Sequence, residues 1–407
     1  MRFVIVMVTS SYPRFPGDSV GTFMEPIARE VAARGHEVHV VAPWHPQVNR
    51  GAHENGVSLH FYKYAPVRAL NVFGYAAAMR ADVSVRGAAY AAAPAALMAG
   101  WRAARRVARR HQATHMHGHW VVPGGAVAAA AAPSLPLVVS LHGSDVYVAE
   151  KLAPARIAAR WVFRRAGVVT ACSSDLARRA IALGADPGRI HVVPYGVDVK
   201  RFRPDSSARS ALRCQLRVPD GASLVFSAGR LVKKKGFEYL IDAVGLVEGG
   251  VPLVLAIAGD GDLRGELIAR AASAGLGDRI RFLGNQTQDE VARWLAAADM
   301  VVVPSVRDDS GNVDGLPNIV LESLASGTPL VTTPAGGIGP VVECGRTAVV
   351  VGERDSAALA RAIGMLAADR PTRLRLGQAG RTLVTERFGW EETARQLETA
   401  YERALAK

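Results

Sequence analysis

The sequence predicts an α/β protein made of two doubly wound units, each a parallel β-sheet with helices on both faces. Its 407 residues are too many for one ordinary hydrophobic core, so two domains are expected. Short, nearly continuous apolar runs alternate with segments of helical period, as in RFVIVMV, TFMEPIAREVAARG and HEVHVVAP. A strand that is apolar on both sides belongs in a sheet covered on both faces, and strand–helix alternation at this spacing is the pattern of parallel sheets. The alternation occurs in both halves, with no tandem repeat of roughly 20–50 residues.

In the first half, Phe23, Ile27 and Val31 share one face of the first helix, and Gly35 ends it before the second strand. The loop before that helix, SSYPRFPGDSVG, carries Gly17 and Gly21 without the G-x-G-x-x-G spacing of a dinucleotide fold, which counts against NAD. From Asn71 to Arg110 the Ala-rich sequence predicts helix, ending in the basic run WRAARRVARRH. The strand THMHGHW, a helix from about Gly124 to Ala132 and the strand LVVSLHGSD follow. A second basic helix, ARIAARWVFRRAG, sets Arg156, Arg160 and Arg164 four apart on one face. After the strand VVTAC and a short helix, the Pro- and Gly-punctuated connection HVVPYGVDVKRFRPD marks a domain boundary near Tyr195.

The second half repeats the alternation. Strand SLVFSAG leads through GRLVKKKG to helix FEYLIDAVGLV; strand PLVLAIAG leads through DGDLRG to another helix; strand RIRFLG and helix DEVARWLAAAD follow. The stretch VVVPSVRDDSGNVDGLPNIVLESLASGTP is the most informative: an apolar strand opens into a polar loop, and a helix starts at Leu316-Pro317 and stops at Ser326-Gly327. Pro costs little at a first helical position, where the missing N–H has no intrahelical partner. A helix N-terminus at the carboxyl end of a strand is where an open α/β sheet binds anions, and Asp314 and Glu322 frame this one with acceptors suited to hydroxyl-rich ligands. The terminal segment WEETARQLETAYERALAK is a helix placed to pack back across the boundary. The expected division is therefore 1–195 with a returning helix at 388–407, and 196–387.

The net charge of +13 is uneven: Met1 to Tyr195 holds 22 Lys and Arg against 10 Asp and Glu, and the remainder 27 against 26. A basic surface suits anionic lipid, nucleic acid or anionic substrates, although an Arg-rich genome also uses Arg as surface filler. The longest apolar run, near Val121 to Val139, is broken by Pro123, Gly124, Gly125, Pro133 and Pro136 and is no clean membrane span. The N-terminus has too short an apolar core for a signal peptide, and three scattered cysteines show no metal spacing, so a cytoplasmic protein is expected.

Arg230 and Lys235, five apart after a strand and beside Gly229 and Gly236, suit a diphosphate: a guanidinium fork and a point charge take different oxygens. Taken alone, KKKG is also an ordinary solvated turn. The glycines at 259, 261 and 265 imply close backbone approach without a nicotinamide fingerprint.

With these residues in view, the chain resembles a family 4 glycosyltransferase of the GT-B fold, with two Rossmann-like domains facing across a cleft. The resemblance rests on PGDSVG, RGHEV, HW-x-x-P-G-G, LHGSD, PYGVD, GRLVKKKG, the GDG loop, FLG, and the D-x7-E block from Asp314 to Glu322 followed by SLASGTPLV, in that order. It implies that Arg230 and Lys235 hold a nucleotide diphosphate, that Glu322 binds the ribose hydroxyls, and that Leu316, Pro317, Asn318 and Ile319 offer backbone N–H groups to sugar and phosphate. Gly17 would approach the phosphate from the other domain, and His142 would sit by the reacting carbon. Where the family's block usually begins with Glu, this chain has Asp314, one methylene shorter, with Asp308 and Asp309 as competitors. The resemblance further implies retention at the anomeric carbon, no metal and no cofactor beyond a UDP- or GDP-linked sugar, with Asp314 positioning sugar hydroxyls.

The histidines His115, His117 and His119 alternate along a strand and share one face. They suit a metal, packing and hydrogen bonding, or an acceptor site, with His119 and Asp145 placed on the acceptor side. Trp101, Trp161 and the two Arg-bearing helices suit an anionic membrane, hence a lipid-linked acceptor and a peripheral location on the inner face of the cytoplasmic membrane, and suit equally well an ordinary solvated basic surface. The transferase expected would serve exopolysaccharide, lipopolysaccharide or glycolipid synthesis. The alternatives are a GT-B sugar-nucleotide epimerase and a non-catalytic nucleic-acid binder; with 6% aromatic residues and no recognisable binding module, the latter is disfavoured.

Overall fold

A computed structural model describes residues 1–18, 20–65, 71, 73–75, 79–80, 84–85, 87–248 and 252–406. The chain divides into two compact units, Met1–Tyr195 with Trp390–Lys407, and Gly196–Gly389.

The first unit contains β1 (Val4–Val8), α1 (Met24–Ala33), β2 (Glu37–Pro43), β3 (His53–Glu54), β4 (Val57–Tyr62), β5 (Met79–Arg80), β6 (Ser84–Val85), α2 (Gly87–Arg110), β7 (His115–His119), α3 (Ala126–Ala131), β8 (Leu137–Leu141), α4 (Ser144–Lys151), α5 (Ala153–Arg165), β9 (Val168–Ala171), α6 (Ser174–Ala182) and β10 (Ile190–Val192). Its main sheet runs β10-β9-β8-β7-β1-β2-β4-β3, parallel except for the antiparallel edge strand β3. β1 is central because Ile5, Val6 and Met7 are fully buried, so both faces of the strand need cover.

The second unit contains α7 (Ser206–Gln215), β11 (Ser223–Ala228), α8 (Phe237–Leu246), β12 (Leu253–Ala258), α9 (Arg264–Ser273), β13 (Ile280–Gly284), α10 (Gln288–Ala297), β14 (Met300–Val303), α11 (Asn318–Ala325), β15 (Leu330–Thr332), β16 (Ala348–Val350), α12 (Ser356–Ala368) and α13 (Arg370–Arg387). Its six strands, β13-β12-β11-β14-β15-β16, are all parallel. The sequence order reverses between β11 and β14, which makes their carboxyl ends a topological switch point, where such sheets bind ligands. α10 opens with a capping box, Thr287 and Glu290 satisfying each other's backbone N–H.

The last helix, α14 (Trp390–Leu405), belongs to the first unit, where it packs on α1, β8 and β9. Leu397 and Tyr401 join Phe3, Ile27 and Val31 in that unit's core.

The structure corrects three local expectations. Helix was expected from Asn71, but α2 begins at Gly87, and Met79–Arg80 and Ser84–Val85 pair as a small antiparallel sheet; the rest of 76–86 lies outside the described residues. The helix expected from Gly124 begins at Ala126 after a turn over Trp120–Gly125. Pro317 is the N-cap of α11 and not its first helical residue: its ψ of 123° keeps it extended, and the helix starts at Asn318.

Candidate active site

In the second unit, the loop after β11 is shaped by glycines that have no room for a side chain. Gly236 sits at φ +66°, and a Cβ there would run into the Pro304 carbonyl; a Cβ on Gly259 would strike the Gly229 carbonyl, and one on Gly261 the backbone of Leu231. Leu231 N–H donates to the Asp260 carbonyl at 2.9 Å, and Leu263 N–H to the Leu231 carbonyl at 3.0 Å. The close backbone approach expected of the GDG loop is therefore made, at Gly259 and Gly261, by the neighbouring GRLV segment of the same unit. Its effect is to fix the turn from which Lys233, Lys234 and Lys235 project.

Lys233–Lys235 form a single 3₁₀ turn, and two of its three ammonium groups meet one carboxylate. Lys235 Nζ lies 2.6 Å from Asp314 Oδ2, and Lys234 Nζ 3.1 Å from Asp314 Oδ1. Burial pushes the Asp314 carboxyl upward, but the charges of Lys234 and Lys235 more than reverse this and hold it well below the usual carboxylate range. Asp314 is fixed from behind, since a Cβ on Gly336 would strike its carbonyl.

Glu322 lies on α11 and is buried. Burial pushes its carboxyl up to about 7, against the opposing pull of the Gln288 side chain, Arg201 and Lys235. Lys235 is thus electrostatically coupled to both ends of the D-x7-E block, while Arg230 is exposed on the turn that follows β11. Leu316 and Ile319 are buried beside the start of α11. Of the four residues expected to offer backbone N–H groups, Pro317 has none, which leaves Leu316, Asn318 and Ile319. The rival carboxylates are engaged elsewhere: Asp308 Oδ1 accepts from Ser310 N–H and Asn312 N–H, both at 2.9 Å, and the exposed Asp309 pairs with Arg354 at 2.8 Å.

In the first unit, the residues at the ends of β7 and β8 form a neutral hydrogen-bonded group. His142 Nδ1 lies 2.7 Å from the Tyr195 hydroxyl, and its Nε2 is 3.1 Å from His119 Nδ1. Burial, with the nearby His117 adding to it, pushes His142 down to about 3, so its imidazole is neutral. His117 bonds to the Tyr401 hydroxyl and to Ser140 Oγ, both at 2.8 Å, and His115 Nε2 donates to the Tyr401 carbonyl at 3.1 Å. His115 and His117 therefore do what the packing and hydrogen-bonding reading expects, tying β7 to α14.

The buried carboxylate of Asp145 accepts from the backbone N–H of Val121 at 2.7 Å, Gly143 at 2.9 Å and His142 at 3.2 Å. Asp145, expected on the acceptor side, directs these hydrogen bonds to the backbone around His142 and so holds that loop in place. Gly17 sits at φ +83° with nothing within 4 Å of where a Cβ would project. Arg14 folds over the same loop to pair with Asp18 at 2.6 Å.

Residues 20–201 match Glycosyltransferase Family 4, and residues 208–383 match the family described as glycosyl transferases group 1. A D-inositol 3-phosphate glycosyltransferase from Xylanimonas cellulosilytica is 33% identical over 312 residues, 73% of this chain and 73% of that protein. The chain is a family 4 glycosyltransferase. A GDP-mannose-dependent alpha-(1-6)-phosphatidylinositol monomannoside mannosyltransferase from Mycobacterium tuberculosis is 32% identical over 267 residues, covering 64% of this chain and 68% of that protein. The crystal structure of Anabaena HepE in complex with UDP superposes with a TM-score of 0.77 at 20% identity, over 97% of this chain and 98% of that one, which shows the GT-B fold with its two Rossmann-like domains.

For this glycosyltransferase, an enzyme of the hexosyltransferase kind, the structure brings together Lys235, Asp314 and Glu322 in the second unit, and His119, His142 and Asp145 in the first. The sequence reading had passed over Lys234. The KKK run was a signal for it, but only the 3₁₀ turn reveals that two consecutive lysines share one carboxylate.

Proposed function

We propose that this enzyme moves a sugar from a UDP- or GDP-linked donor to an acceptor hydroxyl, with retention at the anomeric carbon, in glycolipid, lipopolysaccharide or exopolysaccharide synthesis. The observation that carries the reading is the Lys234–Asp314–Lys235 cluster beside Glu322 and the start of α11, at the switch point of the second unit's sheet. We assign donor binding to this unit and acceptor binding to the first unit with its returning helix.

Transfer of a sugar from a diphosphate builds negative charge on the departing oxygens and positive charge on the anomeric carbon. Arg230, Lys235 and the N-terminus of α11 are the groups suited to the first, and they act without a metal. An ammonium has three N–H donors, so Lys235 can pair with Asp314 and still offer a donor to a phosphate oxygen. Asp314 keeps that lysine aimed and remains ionised through neutral pH, as an acceptor for sugar hydroxyls must. Glu322, acting on ribose hydroxyls, accepts best above about pH 7, once its carboxyl has lost its proton. In the first unit, neutral His142, held by Asp145 through the backbone, is suited to hydrogen-bond the donor sugar. Gly17 gives the loop after β1 the open backbone that close approach to a phosphate requires. His119 is assigned to the acceptor side.

A lipid-linked acceptor and a peripheral position on the inner face of the cytoplasmic membrane are supported by α5, whose exposed face combines Ile157, Trp161, Arg160 and Arg164. Trp101 does not contribute to such a face, because its indole N–H donates to the Ala130 carbonyl at 3.1 Å and Arg105 covers its ring. Among the described residues no helix is long and apolar enough to cross a membrane. Transfer is preferred to the epimerase alternative because the relatives named above are transferases, and nucleic-acid binding finds no support in either match. Incubating the enzyme with sugar nucleotides and a lipid extract, and following release of free UDP or GDP, tests the assignment. Nucleoside diphosphate released only when acceptor is present supports transfer; sugar isomerised without acceptor supports the epimerase.

A further inference from the structure

Away from the residues assigned to transfer, three imidazoles converge on one face of the first unit's sheet. His39 lies on β2 and His60 on the adjacent parallel strand β4, where His39 pairs in register with Ser58; His60 is two residues on and shares its face. His111 follows the last residue of α2, the helix that packs over this face. His39 Nδ1 is 3.1 Å from His60 Nε2, the His39 and His111 rings are 4.0 Å apart between centroids, and one ligand nitrogen from each of the three lies within 4.8 Å of the others. His39 is buried, and His60 and His111 are half-buried.

We propose that His39, His60 and His111 form a site for a divalent transition ion of the Zn²⁺ class, which clips the C-terminal end of α2 to β2 and β4. Imidazole nitrogens are suited to this class of ion and not to Mg²⁺ or Ca²⁺, which prefer oxygen ligands. Two nitrogens bound to one tetrahedral Zn²⁺ at about 2.0–2.1 Å lie about 3.3 Å apart, close to the His39–His60 separation, so those two rings need almost no rearrangement. His111, half-exposed beyond a helix end, has the freedom to swing in as the third ligand.

The surroundings set the tautomers in the same direction. Glu37 Oε1 is 3.0 Å from His39 Nε2 and 3.7 Å from His111 Nδ1. Accepting the His39 Nε2–H leaves the Nδ1 lone pair directed at His60, the carboxylate–histidine arrangement that orients metal-bound imidazoles. Without an ion, His60 Nε2–H donates into that lone pair. When an ion binds, the His60 proton moves from Nε2 to Nδ1, both lone pairs face the ion, and the net proton count is unchanged. The site is separate from the donor chemistry and needs none of Arg230, Lys235 or Glu322.

The test uses the full chain, stripped with EDTA and titrated with Zn²⁺ against a chromophoric chelator, with Co²⁺ as a spectroscopic probe. The expected result is one tight equivalent of Zn²⁺ with a rise in Tm, and the visible bands of tetrahedral Co²⁺. His60→Gln and His111→Gln, checked for folding by circular dichroism, each lose the tight equivalent and the Tm rise, while His191→Gln keeps both. No tight Zn²⁺ uptake by the wild type, or uptake unchanged in both His60→Gln and His111→Gln, overturns the proposal. Because the readouts are metal stoichiometry and Tm, the result is independent of whether the transfer assignment holds.

Discussion

The same kind of place in the two units, the loops at the carboxyl ends of central parallel strands, carries opposite chemistry. In the second unit it holds full charges: two ammonium groups on one depressed carboxylate, with a second carboxyl raised to about 7. In the first the side chains that meet one another are neutral: His142, His119 and Tyr195 share hydrogen bonds, and the buried carboxylate of Asp145 faces backbone N–H groups instead of a cation. The net charges run the other way, since the first unit has the basic excess and the second is nearly balanced over its sequence half. If the proposed donor site is right, bulk charge is a poorer guide to where an anion binds than a preorganised local cluster.

The contrast can be broken by removing the charge that organises each cluster. Asp314→Ala leaves Lys234 buried without its carboxylate, and denaturant unfolding should show a loss of roughly 3–5 kcal/mol, of the order expected when one partner of a buried ion pair is removed. A loss under about 1 kcal/mol would mean that the lysines re-solvate freely and the site is not preorganised. Asp145→Ala, its counterpart in the first unit, leaves three backbone donors unsatisfied and should cost roughly 2–3 kcal/mol. Asp145→Asn, which keeps an acceptor oxygen, should recover part of that stability, an outcome that a purely electrostatic role does not give.

Glu322→Gln sharpens the comparison through pH. A carboxyl raised from 4.5 to about 7 in the folded state contributes stability that is present below pH 4.5 and lost as pH rises through about 7. The ligand-free wild type should thus lose thermal stability across that window more steeply than Glu322→Gln, as scanning calorimetry can follow. The variant's KM for the donor should rise about tenfold at pH 8, the loss of one hydrogen bond to a charged group. The smallest effect is expected at Asp309→Ala. Its pair with Arg354 is solvent-exposed, so neither the denaturation midpoint nor the activity should change measurably.

Much of this was legible in the sequence, because strands, loops and helix starts are local features. The apolar runs placed β1, β11 and β14, and the loop-to-helix transition after Val303 placed α11 to within a residue or two. The helix expected from Asn71 gives way at Met79–Arg80 and Ser84–Val85 because alanine content reports propensity, which two short paired strands override. The sharing of Asp314 between adjacent lysines was hidden, since it depends on a 3₁₀ turn meeting a loop some 80 residues later in the chain. The cluster of His39, His60 and His111 has no sequence motif at all, being assembled from two strands and a helix end. The role of Asp145 was hidden too, because a carboxylate that binds backbone reads the same in sequence as one that faces a ligand.

The central claim is that the second unit grips the diphosphate of a sugar nucleotide through Lys235 and Arg230, and the most direct test is binding itself. A thermal-shift panel of UDP-, GDP- and ADP-sugars should give a concentration-dependent rise in Tm with one donor class for the wild type, and no rise for Lys235→Ala or Arg230→Ala, both still folded. A rise of equal size in both variants would contradict it.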